Sequence, residues 1–348
     1  MASKLIVSAF ILLLSLGFSC TPSVKENPQE QKSLQSSPSE SDPLPSWREG
    51  KTKQAIMDYV ASVTDPNSPH FIPVPDRIAT FDNDGNLWAE KPLYFQLIFA
   101  MDKLKSLADQ HPEWKKDPVM KAAIDHDTDA LFKYGEKGLM KIVLASHANT
   151  TGEEFEQEVL QWIKTARHPS LKRPYTELIY QPMVELVHFL QKHKFKTFIV
   201  SGGGLAFMRP WVEEVYGIPR DQVVGSTIKI KYDDHGGQPV IRRLPELEFI
   251  DDKAGKPEAI YKFIGRKPVF ASGNSDGDLQ MLRWAASGTH QSFMLLLHHT
   301  DTEREWAYDR ESAVGRLNLG LTEAPMKNWT ITDMKKDWKI IFPPSDSK

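Results

Sequence analysis

Four short stretches of this sequence carry side chains able to do chemistry together. The first is Phe81-Asp82-Asn83-Asp84-Gly85-Asn86-Leu87-Trp88. Two carboxylates two residues apart on a loop can face one metal ion. One of them can attack phosphorus, and the other can serve as general acid and base at the leaving oxygen. An isolated acidic pair is also an ordinary turn. The second stretch, Ser201-Gly202-Gly203, offers a hydroxyl and unhindered N–H groups, which hold anions well where a helix begins. In the third, Lys256 precedes a proline suited to the first turn of a helix. Its charge could neutralise a phosphate, although a solvated surface lysine has the same sequence signature. The fourth, Gly273-Asn274-Ser275-Asp276-Gly277-Asp278, concentrates hard oxygen donors of the kind magnesium takes. The same residue types cap helices.

The elements that must position these residues alternate between strand and helix. Short apolar runs at Arg77–Phe81 (RIATF), Phe195–Val200 (FKTFIV) and Pro268–Ala271 (PVFA) each run straight into one of the polar or Gly-rich loops. In open parallel sheets, sites lie at the carboxyl ends of strands. Asp82, Asp84, Ser201 and the 273–278 loop are therefore expected to converge. Helical spacing covers Ala55 to Val63, Pro92 to Gln110, Glu153 to Ala166 and Glu177 to Lys192, and no strand is predicted between residues 90 and 190. Val223 to Tyr232 alternates as a strand, with Pro239 to Arg243 its hairpin partner across Asp234-His235-Gly236-Gly237. Lys256 to Ile264 is predicted helical, another helix begins near Leu279, and Phe293 to Leu297 (FMLLL) is predicted as the final strand. His298 and His299 are adjacent on that strand, so they face opposite sides, which favours a structural or rim role over a shared metal.

Composition narrows the function classes. The 348 residues carry 43 Lys and Arg against 46 Asp and Glu, a net charge of −3. This balance argues against nucleic acid as a partner, because phosphate backbones are held by clustered positive charge. The hydrophobic fraction of 40% fits a globular chain. The single cysteine excludes an intramolecular disulfide and an all-cysteine zinc site.

Together, in this order and spacing, the four stretches resemble the haloacid dehalogenase (HAD) superfamily of phosphohydrolases over about residues 75 to 300. Ser201-Gly202-Gly203 is most similar to its phosphoserine-phosphatase-like branch. The resemblance implies an α/β fold: a Rossmann-like, three-layer parallel-sheet core with a helical cap inserted after the first motif. It implies Asp82 as nucleophile and Asp84 as acid and base, Ser201, Gly202 and Lys256 around the phosphoryl group, and Mg2+ held by Asp82, Asp84, Asn274 and Asp278. Family phosphatases have the second aspartate and family dehalogenases lack it, so Asp84 favours phosphoester hydrolysis. Two departures stand out: Asn86 replaces the usual Thr or Val, and Asn274 replaces a metal-binding aspartate, with Asp276 or Asp278 as possible compensation. The expected activity is magnesium-dependent hydrolysis of small organic phosphate monoesters through an aspartyl-phosphate. The alternatives are a catalytically weakened binding lipoprotein of the same fold, or a phosphotransferase using the same intermediate. Glu90, Tyr94 and Gln96 lie just beyond the nucleophile loop and are candidates to face the pocket, or to pack as ordinary helix residues.

The N-terminus reads as an address. Lys4 precedes an uncharged apolar run, Leu5 to Phe18, and small residues lead into Cys20. This resembles a bacterial lipoprotein signal, with Gly17 where leucine is usual. The resemblance implies lipidation of Cys20 and a protein anchored on the exported, periplasmic side of the bacterial cell envelope. The expected organisation is a signal peptide over 1–19, a Ser/Pro/Glu-rich tether over 20–50, a core over 51–89 and 181–348, and a helical cap over 90–180.

Overall fold

The computed structural model describes residues 42–234 and 236–345, so the apolar leader and Cys20 lie outside the described residues. Eight strands form one sheet: β1 (Ile78–Phe81), β2 (Lys196–Gly204), β3 (Val223–Asp233), β4 (Val240–Phe249), β5 (Phe270–Gly273), β6 (Phe293–Thr300), β7 (Ala307–Tyr308) and β8 (Thr330–Asp333). The order is β4-β3-β2-β1-β5-β6-β7, with β8 also pairing to β6. The inner pairs β3-β2-β1-β5-β6 are all parallel. Parallel strands covered on both faces read as continuous apolar runs, as the wholly buried β1 does.

Alternate residues point to opposite faces of a strand, and this sorts the core into two layers. Ala79, Phe81, Ile199, Val223, Phe270 and Leu295 pack on one face with α1 (Lys51–Thr64) and, later in the chain, the helix at Gln181–Lys192. Ile78, Phe198, Val200, Val224, Ala271 and Leu296 pack on the other face with Ala259, Met281, Leu282 and Ala324. The result is a three-layer α/β core.

Between β1 and β2 the chain lays down α2 (Phe95–Leu107), α3 (Pro118–Ile124), α4 (Thr128–Lys133), α5 (Gly135–His147), α6 (Gly152–Thr165) and α7 (Gln181–Lys192). Helices α2 to α5 close on an apolar cluster of their own, including Leu97, Met101, Leu104, Met120, Leu131 and Ile142. The turn from α5 to α6 is stitched to edge strand β4. Asn149 N donates to Arg243 O and Arg243 N donates to Thr150 O, both at 2.9 Å. The Arg243 guanidinium lies 4.1 Å above the Phe155 ring, and its Nε donates to His147 O. Short helices α8 (Leu205–Met208) and α9 (Val212–Tyr216) follow β2. Helices α10 (Gly255–Ala259), α11 (Leu279–Ala286), α12 (Leu319–Met326) and α13 (Met334–Asp337) complete the chain. Among the described residues no helix is long and apolar enough to cross a membrane.

Several boundaries differ from the sequence reading. The tether was expected to run to residue 50, but residues 42–50 belong to the folded body. Leu44 and Trp47 are wholly buried, and the Trp47 indole donates to Pro182 O and meets Trp338 edge-on. Strand β4 runs on past the predicted Arg243 to Phe249 despite Pro245, a residue that an edge strand tolerates. The predicted helix over Lys256 to Ile264 is α-helical only to Ala259, then widens into a π turn. Phe293 to Leu297 is not the final strand. Strand β8 (TITD) adds in parallel beside it, and its polar composition hides it from an apolar-run criterion.

Candidate active site

Register brings the loops together. Phe81 sits beside Ile199 on β2 and Ser272 on β5, so the chain leaves all three strands at one end of the sheet. Asp82 follows Phe81 directly, and its Oδ1 accepts from Lys256 Nζ at 2.7 Å. The same ammonium donates to Val200 O at 2.8 Å and forms an ion pair at 2.7 Å with Asp278 Oδ1. Lys256 is only 2% exposed. Burial alone would lower its pKa, but the charges of Asp278, Asp82 and Asp251 outweigh that and raise it, so it stays an ammonium. Asp82 is raised well above the usual carboxylate range by burial and by the Asp278 charge, against the pull of Lys256.

The loop after β1 is held by several side-chain hydrogen bonds. Asn86, at the position where the family resemblance led to Thr or Val, donates to Asp82 O and accepts from Ser272 Oγ. Its amide thus bridges β1 to β5, and the departure costs no hydrogen bond. Asn83 Oδ1 accepts from the Tyr216 hydroxyl. Asp84 Oδ1 accepts from the Trp88 indole at 2.7 Å. Burial pushes the Asp84 carboxyl up to about 6, and the Trp88 hydrogen bond pulls the other way. Gly85 has φ +73°, and a Cβ there would lie 2.1 Å from Asn274 Nδ2, so both conformation and space require glycine. Behind it, His299 lies 2.7 Å from Gly85 O and faces Glu305, which accepts from the Tyr180 hydroxyl. His298 points the other way, toward Asp309. The two histidines thus take opposite faces, one of them under the loop after β1.

Ser201 is buried, and its Oγ accepts from Gly203 N at 3.1 Å. Gly202 is exposed, with its carbonyl held by Ser226 Oγ. A Cβ on Gly203 would come within 3.5 Å of Ser201 Oγ, Gln96 Oε1 and Asp84 Oδ2, which shows how closely this loop approaches the first. Gln96 reaches in from α2: its Oε1 accepts from Gly204 N at 2.6 Å and its Nε2 meets His147 Nε2. Burial holds His147 well below the ordinary imidazole range, with Arg243 and Lys103 adding to the effect.

The closing loop divides its residues unexpectedly. Asp278, expected among the metal ligands, has Oδ2 occupied by three donors: Asn274 N, Ser275 N and Ser275 Oγ. Its other oxygen faces Lys256. Oδ2 thus organises the loop, and Oδ1, ion-paired with Lys256, is the oxygen left to face a cation. Asp276 points away and accepts from Asn318 N and Gly320 N at the start of α12, so it cannot compensate for Asn274. Asn274 itself is 1% exposed; its Nδ2 donates to Glu90, and its Oδ1 is buried without a partner. An orphaned amide oxygen beside Asp82 is a fitting donor for a hard cation. Asp82 and Asn274 Oδ1 therefore offer oxygens that fit such a cation.

Sequence reasoning missed Asp251. It is wholly buried among the charges of Lys256, Asp252 and Asp278, and burial pushes its carboxyl up to about 7. Its one signal is the Asp251-Asp252 pair five residues before Lys256, which reads as a turn. Glu90, Tyr94 and Gln96 all lie at the site. Tyr94 is surrounded by Glu90, Asp84 and the Gly315 backbone, and burial raises its phenol well above the ordinary range. A separate cavity of about 330 Å³, lined by Asp76, Arg266, Lys267 and His290 among others, opens at the amino ends of the strands, away from these residues.

A three-layer α/β core with an acidic loop, a serine loop, a buried lysine and a closing loop at one sheet end defines a hydrolase of the haloacid dehalogenase type. The chain belongs to the haloacid dehalogenase-like hydrolase family, whose profile matches residues 79–283. No match was found among curated proteins. Similar solved structures include a conserved functionally unknown protein from Anaerococcus prevotii (15% identity, 72% of this chain and 86% of that one, TM-score 0.48). A protein of unknown function from Bordetella pertussis is similar at 14% identity, over 74% and 98% of the two chains, with TM-score 0.46. A phosphoserine phosphohydrolase-like protein from Francisella tularensis is similar at 19% identity, over 64% and 87%, with TM-score 0.34.

Proposed function

We propose that this hydrolase is a Mg2+-dependent phosphomonoesterase acting on small organic phosphates through an aspartyl-phosphate. The observation that carries this reading is the buried Lys256 ammonium, which pairs with Asp82 and Asp278 while a third carboxyl, Asp84, approaches the serine loop. Lys256 fixes Asp82 by Oδ1, so Oδ2 is the oxygen placed to attack phosphorus. As the Asp82–phosphorus bond forms, the bond to the leaving oxygen breaks and Asp84 protonates that oxygen. Asp84, now a carboxylate, takes a proton from water. The resulting hydroxide attacks phosphorus, releasing phosphate and restoring Asp82. A carboxyl near 6 can make both transfers near neutral pH. The Ser201 hydroxyl, whose oxygen accepts from Gly203 N and whose proton is left to donate, would hold a phosphoryl oxygen, and Lys256 would offset its charge. Bound Mg2+, on Asp82, the Asp84 carbonyl and Asn274, would supply Lewis-acid stabilisation of phosphoryl charge. The helical segment from α2 to α6, which contributes Gln96 and His147, would select the substrate and exclude water.

The sequence pattern before residue 21 supports export and lipid anchoring through Cys20. Membrane-fraction partitioning of the wild type and Cys20→Ser would test it.

The decisive experiment is phosphate release by residues 42–348 across a phosphomonoester panel, with Mg2+ or chelator, beside Asp82→Asn. Mg2+-dependent turnover abolished in Asp82→Asn is the expected result. Turnover unaffected by Asp82→Asn would refute the mechanism. If folded protein binds esters and turns none over, a binding protein of the same fold replaces the enzyme.

A further inference from the structure

Asn274 stands where the family resemblance leads to an aspartate, so the closing loop offers one negative charge fewer to a cation. Next to it lies a carboxylate that the proposed mechanism leaves unused. Glu90 is 1% exposed, and its Oε1 accepts from Asn274 Nδ2 and from the Tyr308 hydroxyl, both at 2.8 Å. The space for it comes from two glycines in left-handed conformation. Gly85 (φ +73°) belongs to the nucleophile loop and Gly315 (φ +66°) to the loop before α12. A Cβ on Gly85 would lie 2.3 Å from Glu90 Oε1, and one on Gly315 only 1.9 Å. Tyr308 is fixed in turn by stacking on His299 and by Lys91 over its ring. Three separate segments thus converge on one buried carboxylate.

Resting on the divalent-cation reading above, we propose that Glu90 is a positioning residue that orients Asn274 from behind and supplies the carboxylate the closing loop lacks. An asparagine can present either end of its amide. Burial pushes the Glu90 carboxyl up to about 7, but its Oε1 accepts from both Tyr308 and Asn274 and serves as an acceptor in either protonation state, so Nδ2 is the amide end that faces it. That contact turns Oδ1, buried and unpartnered, to the side away from Glu90, where it is free for the cation. It also polarises the amide, making its oxygen a stronger donor. Residues behind metal ligands commonly act in this way.

The test is calorimetric Mg2+ binding and Mn2+ binding by electron paramagnetic resonance, on substrate-free protein of residues 42–348. Glu90→Gln should weaken binding by about 10–100-fold. Asn274→Asp alone sets two carboxylates against each other and should not tighten binding. The exchange Glu90→Gln with Asn274→Asp moves the charge inward and keeps an N–H···O contact, so affinity should return to the wild-type value or exceed it. Wild-type affinity in Glu90→Gln, or tighter binding in Asn274→Asp than in the exchange variant, would overturn the proposal. Should Glu90→Gln not fold, the exchange variant decides alone: wild-type affinity supports the proposal, and a loss beyond about tenfold overturns it. If the wild type binds neither ion at millimolar concentration, the cation reading fails and this inference falls with it. A wild type that binds, with Glu90→Gln unchanged, sinks only the inference.

Discussion

Replacing Lys256 by methionine isolates the electrostatics of the site from its packing. The stem is kept in shape, and one buried ammonium is removed from within reach of Asp82, Asp278 and Asp251. Breaking a buried ion pair from one side costs about 3–5 kcal/mol, because the remaining charge stays desolvated. That is a large fraction of a typical stability of about 5–15 kcal/mol. The cost should depend on pH, and its sign can be worked out. Asp82 already has a folded pKa raised by burial, and without the lysine it rises further. A carboxyl raised on folding favours the folded state at low pH, and that contribution is lost as pH rises from the unfolded value, about 3.9. The variant should therefore be closest to wild type near pH 5 and furthest from it at pH 7.5. Urea unfolding at both pH values, with and without Mg2+, measures this directly. Mg2+ should narrow the gap, since it brings positive charge to the same carboxylates. A variant as stable as wild type at pH 7.5 would refute the reasoning. A deficit equal at both pH values would show that shape, not charge, is what Lys256 contributes.

Asp84→Asn should lower kcat by roughly 10²–10⁴-fold for alkyl phosphates, and much less for an aryl phosphate whose leaving group needs no proton. Wild-type kcat/KM for alkyl esters should fall as pH rises through about 6, where Asp84 loses the proton it must donate, and Asp84→Asn should lack that limb. Trp47→Ala should cost about 3–5 kcal/mol in urea unfolding, because it empties a fully buried site and removes an indole hydrogen bond; a loss under about 1 kcal/mol would return residues 42–50 to the tether.

The convergence of the loops was legible because strand ends carry their own punctuation. RIATF, FKTFIV and PVFA each end on an apolar residue, and the polar residue that follows each lands at the same end of the sheet. Parallel pairing carries that regularity through the helical insertion without any need to predict the insertion itself. Which oxygen meets which donor was not legible. Asp276 and Asp278 are equivalent as letters, yet one caps α12 and the other holds Lys256. The difference lies in the direction each side chain takes from a tight turn. Asp251 was hidden for the opposite reason: an Asp-Asp pair after a charged edge strand reads as solvent-facing, and only the closure of α10 against β2 buries it. Strand β8 was lost because Thr330-Ile331-Thr332-Asp333 owes its strand conformation to a vacant edge on β6 rather than to its own apolarity.

The backbone pairing between the α5–α6 turn and β4 also constrains how the protein can be rebuilt. The helical insertion begins and ends beside the sheet, which suggests a module that could be exchanged between relatives to transfer specificity. The hydrogen bonds joining Asn149 and Thr150 to Arg243 make it a three-point attachment, anchored at both ends and once along its length. Arg243 adds a buried side-chain tie to the same junction. A graft that carried only the helices would leave β4 with open backbone groups and a buried guanidinium without its carbonyl. In this chain the transferable unit is the helices together with the β3–β4 hairpin. Specificity should therefore drift by substitutions inside that joint unit more readily than by exchange of the helices alone.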